Sequence, residues 1–218
     1  HKCISMKTFL VALILTINAK CLFAQEDTYK TAKARVDGVL YRATYKTSNL
    51  SISIVSPDGK TNLIQHSDYG LSSFKFIDFN DDGYKDLLIE YLSNVPGVCE
   101  LALYDKRTKK FALVDNFSEY PDPQKLSGTP LYYSYHRSGC ADSDWDSDLF
   151  KIVDNKIIKI GNISGRGCDE KPGIFISKTE GREKIIIKKY PIDVIEKYKN
   201  YKWGFIKQYW ERNYQKFI

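Results

Sequence analysis

Histidine is scarce in this chain, with three among 218 residues, and beyond the N-terminal segment only His66 and His136 remain. Also missing are G-x-S-x-G, H-E-x-x-H and the Walker-type phosphate loop, the local patterns that announce serine hydrolases, zinc peptidases and nucleoside triphosphatases. A lone histidine among aromatic residues more often packs than catalyses. Glu90, Glu100 and Glu119 could form a glycosidase pair, but with 27 acidic residues some pairing arises by chance. An enzyme is therefore not the expectation. The apolar run from Phe9 to Ile17 is short against the about 20 residues of a membrane-spanning helix, so a permanent membrane span is not expected either. Strong charge of one sign is absent. The formal net charge is +6, and residues 1–24 carry Lys2, Lys7 and Lys20 with no acid, which leaves +3 on the rest. Nucleic-acid binders show a strongly basic patch or stripe, so nucleic acid is not an expected partner.

Lys7 ahead of the apolar run, a short polar stretch, and then Leu22-Phe23-Ala24-Gln25 follow the layout of a secretory signal peptide. Cleavage is expected after Ala24, with His1–Ser5, ahead of Met6, as an over-extended start. Lys20 immediately before Cys21 argues against lipidation. Residues 25–218 are long enough for one domain with its own core. Export places it in the periplasm or at the cell surface, where disulfides persist. Cys99, Cys140 and Cys168 then leave one cysteine unpaired or bonded outside the chain. Cys140 and Cys168 each follow a glycine in loop-like sequence, whereas Cys99 lies against Leu101-Ala102-Leu103, so a Cys140–Cys168 disulfide is expected. The alternative is three reduced, partly buried thiols.

From Gly38 to Tyr190 the chain reads as β-branched or aromatic runs separated by turn residues, without helix-length periodicity. Leu50 to Ile54 alternates strictly, and Ser56-Pro57-Asp58-Gly59 supplies a turn before Thr61 to Gln65. Further hairpins are expected at Val98–Tyr104 with Phe111–Val114, at Leu149–Val153 with Lys156–Ile160, and at Ile174–Lys178 with Lys184–Lys188. Pro121, Pro123 and Pro130 make residues 118–130 a loop between strands. The expected fold is all-β: a small propeller-like or sandwich domain of antiparallel hairpins with a C-terminal helix from about Trp203 to Phe217. In that helix Ile206, Tyr209, Trp210, Asn213, Tyr214 and Phe217 share one side, the face expected to pack on the sheet.

The most specific pattern is Asp78-Phe79-Asn80-Asp81-Asp82-Gly83-Tyr84-Lys85-Asp86, or D-x-N-x-D-G-x-x-D. Ca²⁺ takes hard oxygen ligands, and acceptors at alternate positions of a tight loop wrap them around one point. The expected ligands are Asp78, Asn80, Asp82, the Tyr84 carbonyl and Asp86, with Gly83 permitting the turn. Ile89 stands where an EF-hand has its bidentate glutamate, and both flanks read as strands, so a helix–loop–helix sensor is not indicated. The metal-free alternative is an acidic turn. A second cluster, Asp142, Asp144, Asp146 and Asp148, alternates with other residues, which on a strand puts the carboxylates on one face. That face is read as solvated and as able to meet a basic partner.

Strand, D-x-N-x-D-G-x-x-D, strand resembles the calcium loop of FG-GAP and VCBS-type β-propeller repeats. Leu103-Tyr104-Asp105-Lys106-Arg107-Thr108-Lys109-Lys110-Phe111, followed by Tyr133-Ser134-Tyr135-His136-Arg137-Ser138-Gly139-Cys140, is similar to a family of exported bacterial proteins that includes periplasmic lysozyme inhibitors. The similarity spans roughly residues 70–165, while Gly167-Cys168-Asp169 and Trp203 to Phe217 resemble exported proteins of Bacteroidota. The resemblance implies one calcium loop in a propeller-like β domain that binds a partner. Inhibitors of this type insert a loop of pattern S-G-x-x-Y into the lysozyme cleft; here Ser138-Gly139-Cys140-Ala141 is followed by Asp142 where the pattern has tyrosine. The expected partner surface is Ser138, Gly139, Asp142, Asp144, Asp146 and Asp148, directed at a lysozyme-type glycan hydrolase. A surface module for cell-envelope glycan or protein, and a glycan-processing enzyme, are the alternatives.

Overall fold

The computed structural model describes residues 28–67, 69–180 and 183–218; the expected signal peptide lies outside them. Among the described residues the fold comprises three antiparallel sheets and one α-helix, as the all-β reading with a C-terminal helix expects. The first sheet runs in chain order through β1 (Tyr29–Val36), β2 (Val39–Lys46), β3 (Ser51–Val55) and β4 (Thr61–His66). Asp37 and Gly38, both at positive φ (47° and 77°), form the two-residue turn whose twist matches paired strands. The predicted turn after Ile54 closes through the Gly59 amide, which donates to the Ser56 carbonyl at 3.0 Å.

The second sheet is also a meander, of β5 (Leu71–Ile77), β6 (Asp86–Tyr91), β7 (Cys99–Asp105) and β8 (Lys110–Leu113). The third contains β9 (Gln124–Lys125), β10 (Leu131–Tyr133), β12 (Asp144–Val153), β13 (Lys156–Arg166), β14 (Gly173–Glu180) and β15 (Glu183–Tyr190), with β11 (His136–Gly139) paired to β12. The proline-containing segment 118–130 is mostly loop, though it contributes the short strand β9 to the sheet edge.

The sheets stack because the middle one is apolar on both faces. In β6 and β7, Leu87, Ile89, Ala102 and Tyr104 pack toward Tyr41, Ala43, Ile52 and Ile54 of the first sheet. Their alternate neighbours Leu88, Cys99 and Leu101 pack with Tyr132 and Phe150 of the third. Period-two alternation thus serves two interfaces from one sheet. The remaining face of the third sheet carries Trp145, Leu149, Ile163, Ile174 and Ile176 beneath helix α1 (Tyr201–Asn213).

Helix α1 starts two residues before the expected position and ends at Asn213, after which a 3₁₀ turn spans Tyr214–Lys216. The aromatic stripe packs inward as expected through Ile206, Tyr209, Trp210 and Phe217, joined by Phe205, whereas Asn213 and Tyr214 are only half-buried. Gly161 makes the close approach possible: a Cβ there would lie 2.6 Å from the Phe217 ring.

Cys140 and Cys168 are joined, with their Cα atoms 6.4 Å apart. Cys99 is free and buried, and burial pushes its thiol up to about 12, with the charge of Glu90 adding to the effect. Since the thiolate is the reactive form, native protein spanning residues 25–218, which lacks Cys3 and Cys21, is expected at pH 8 to resist iodoacetamide and to take up one label per chain only after denaturation without reductant. Rapid labelling of folded protein, read by mass spectrometry, would contradict that placement.

Candidate functional site

The loop between β5 and β6 is folded by its own acidic side chains. Asp78 accepts the Asp82 amide at 3.1 Å and the Gly83 amide at 3.0 Å, and Asp82 accepts the Tyr84 amide at 2.8 Å. Asn80 accepts the Asp82 amide at 3.1 Å and donates its own amide to Asp82 at 2.9 Å. Positive φ at Asp81 (60°) and Gly83 (89°) turns the chain back on itself. Asp86, wholly buried at the start of β6, accepts the Phe79 amide at 3.0 Å and the Tyr104 amide at 2.9 Å.

Burial pushes the Asp86 carboxyl up to about 7; the Tyr104 and Phe79 amides oppose the rise, and the charges of Asp82 and Asp78 add to it. A buried carboxylate surrounded by other carboxylates is stabilised by a cation. The donors Asp78, Asn80, Asp82, Asp86 and the Tyr84 carbonyl are hard oxygens, the chemistry Ca²⁺ requires. As their side chains stand, no three or more histidine, cysteine, aspartate or glutamate groups among the described residues form a metal-holding cluster. The residue types fit calcium, and the side-chain oxygens are turned to the loop amides.

This loop also ties the second sheet to the third. Phe79 stacks on Tyr132 with ring centroids 5.1 Å apart and 13° between planes, and meets Phe117 edge-on at 5.6 Å. Lys125, on β9, donates to the Asn80 carbonyl and pairs with Asp81 at 2.6 Å. Tyr84 directs its ring toward Tyr104, with centroids 5.7 Å apart, and the Lys106 ammonium lies over it.

A second constellation surrounds the segment between β11 and β12. Gly139, Cys140, Ala141 and Asp142 take φ values of 126°, 50°, 48° and 72°. Left-handed backbone costs roughly 1–2 kcal/mol per residue for side chains other than glycine, so this run needs support from its surroundings. The disulfide fixes Cys140, and Asp144 accepts the Gly167 amide at 2.8 Å and the Cys168 amide at 3.2 Å, fixing the other end of the bridge. Asp142 accepts the Tyr135 hydroxyl at 2.5 Å and pairs with Lys202 at 2.7 Å. Lys202 also donates to the Asp142 carbonyl at 2.7 Å. Ser138, Gly139, Cys140 and Ala141 remain exposed.

The solvated acidic face expected along β12 requires correction. Asp146 and Asp148 do share a face, but they are only 8% and 6% exposed. Arg166 reaches Asp146 at 2.8 Å, and Ser138 and Ser164 donate to it. Lys159 pairs with Asp148 at 2.7 Å, and Asn162 donates to it at 2.7 Å. Burial alone would raise the Asp146 carboxyl, yet the bonds from Ser138 and Ser164 and the Arg166 guanidinium together hold it below its ordinary value. The cations come from β13, a neighbour that inspection of β12 cannot identify. Of the expected partner residues, Ser138 and Gly139 lie at the surface, Asp142 and Asp144 brace the loop, and Asp146 and Asp148 belong to an internal polar layer. Tyr135 and Lys202 were missed, because no local motif marks a tyrosine or a helical lysine as a brace.

No family model matches the chain, and no curated protein matches it. Among solved structures, one described as "Structure of a Xanthomonas Type IV Secretion System related protein" aligns at TM-score 0.46 and 14% identity, covering 72% of this chain and 93% of the other.

Proposed function

We propose that this protein is an exported binding module that offers the Ser138–Asp142 loop to a peptidoglycan-cleaving, lysozyme-type hydrolase, with Ca²⁺ at Asp78–Asp86 as a structural staple. The observation that carries this reading is the run of left-handed residues in an exposed loop braced by a disulfide and a buried lysine. Backbone strain persists where surrounding structure over-determines it, and it clusters at ligand clamps. A loop fixed before encounter loses little conformational freedom on binding, which favours insertion into a cleft. The resemblance to lysozyme inhibitors supports the target, and the Ser138-Gly139 pair lies at the exposed part of the loop.

The test is a peptidoglycan turbidity assay with a panel of lysozymes. Wild-type protein is expected to block lysis by at least one, and Cys140→Ala/Cys168→Ala to weaken that block by about ten-fold, equivalent to roughly 1.4 kcal/mol. Unimpeded lysis by every lysozyme would remove the inhibitor reading. Lysis by the protein alone would identify an enzyme instead.

A further inference from the structure

Beside the braced loop, where β9 and β10 meet the start of α1, lies a cleft of about 210 Å³ lined by Tyr133, Tyr135 and Trp203 together with Asp122, Gln124 and Asn200. Trp203 is 47% exposed, whereas Trp145 and Trp210 are fully buried. Tyr135 and Trp203 form a tilted pair with centroids 5.5 Å apart. Lys202, anchored on Asp142, sits 4.8 Å from the Trp203 centroid and 5.5 Å from that of Tyr135. The two rings are therefore held in place before any ligand arrives.

The polar lining has hydrogen-bonding capacity to spare. Gln124 donates to one Asp122 oxygen at 3.0 Å, which orients both groups, and both residues are exposed, with a second carboxylate oxygen and an amide carbonyl as further acceptors. Asn200 occupies the N-cap position of α1 at φ 67°, but its side chain makes no capping bond. Gly204 also borders the cleft, and the Lys199 carbonyl would lie 1.9 Å from any Cβ there. A side chain at that position would displace the segment that carries Asn200.

We infer that this cleft is a subsite for one neutral pyranose ring of a glycan. A pyranose presents a face of C–H bonds flanked by equatorial hydroxyls. The apolar face matches an exposed aromatic ring, and the hydroxyls match a carboxylate and two side-chain amides in alternating donor and acceptor roles. The volume suits a single ring, with neighbouring sugars extending into solvent. This deepens the binding-module reading and rests on it, but it does not require a lysozyme target.

Because Trp203 is the exposed tryptophan of three, its fluorescence reports on occupancy directly. The full chain is titrated with β-1,4-linked trisaccharides of glucose and of N-acetylglucosamine, and the variants are followed by calorimetry. A saturable emission change with at least one trisaccharide is expected, with Trp203→Ala and Asp122→Ala each weakening binding by about ten-fold or more. Cys140→Ala/Cys168→Ala should bind sugar as tightly as wild type while its lysozyme inhibition weakens by about ten-fold, so failure of one reading is separable from failure of the other. No saturable response to either trisaccharide in the wild type, or unchanged affinity in Trp203→Ala, would overturn the assignment.

Discussion

Trp210→Ala is expected to lower the unfolding free energy by about 3–5 kcal/mol, the cost of emptying a large core site. For a domain of this size that corresponds to a melting temperature lower by roughly 10–15 °C. Trp210 is wholly buried and packs edge-on against Phe217 and Tyr209, with centroids 5.1 and 5.6 Å away. Its indole N–H donates to the Ser147 hydroxyl at 2.9 Å, inside the third sheet. Truncation leaves a cavity between sheet and helix and removes the partner of a buried hydroxyl. The control is Trp203→Ala, seven positions earlier on the same helix but largely outside the core, where a change near 0.5 kcal/mol is expected. Thermal unfolding by circular dichroism compares the two. Equal shifts would mean that the helix does not dock through Trp210.

Calcium, proposed to bind the Asp78–Asp86 loop, is expected to give the second large effect. At about 100 times its dissociation constant, a ligand bound only by the folded state adds roughly 2.7 kcal/mol, and extracellular calcium modules work with constants near 10⁻⁴–10⁻³ M. Wild-type protein should therefore melt several degrees higher in excess calcium than in chelator. Asp82→Ala removes one hard oxygen and most of the difference. Asp81→Ala should retain it, since the Asp81 side chain is 69% exposed and engages Lys125 rather than the loop interior. Loss of that pair, solvent-exposed on its Asp81 side, costs about 1 kcal/mol. Because Phe79 stacks on Tyr132 across the joint between the second and third sheets, chelation should first accelerate amide exchange in the Asp78–Asp86 loop and in β9 and β10. Identical melting with and without calcium, together with no heat of binding, would return the loop to a metal-free acidic turn.

The hairpins were readable wherever turn residues bracketed a run of alternating or β-branched residues. Ile174–Lys178 and Lys184–Lys188 fall within β14 and β15, and Leu149–Val153 and Lys156–Ile160 within β12 and β13. Strand ends were less legible: β12 begins at Asp144, five residues before the predicted start, because aspartate is a poor strand former in isolation and is retained here by its pairing with β13. The helix boundary shifted for a related reason. Tyr201 and Lys202 carry weak periodic signal, yet Lys202 is drawn into the helix by Asp142, 60 residues earlier in the chain.

The sequence by itself determined what depends on near neighbours: the period-two strands, their tight turns, the acceptor spacing of Asp78–Asp86, and the inward stripe of Ile206, Tyr209, Trp210 and Phe217. These follow from backbone geometry and side-chain chemistry within a few residues. Only the tertiary structure decided which face of each strand met water. Asp146 and Asp148 alternate as a solvent-facing edge would, yet Lys159 and Arg166 from the next strand cover and neutralise them. It likewise decided that Tyr135 and Trp203 share one cleft. Burial and ring pairing are non-local quantities, set by which segments pack together, and a local pattern allows several such packings without selecting among them.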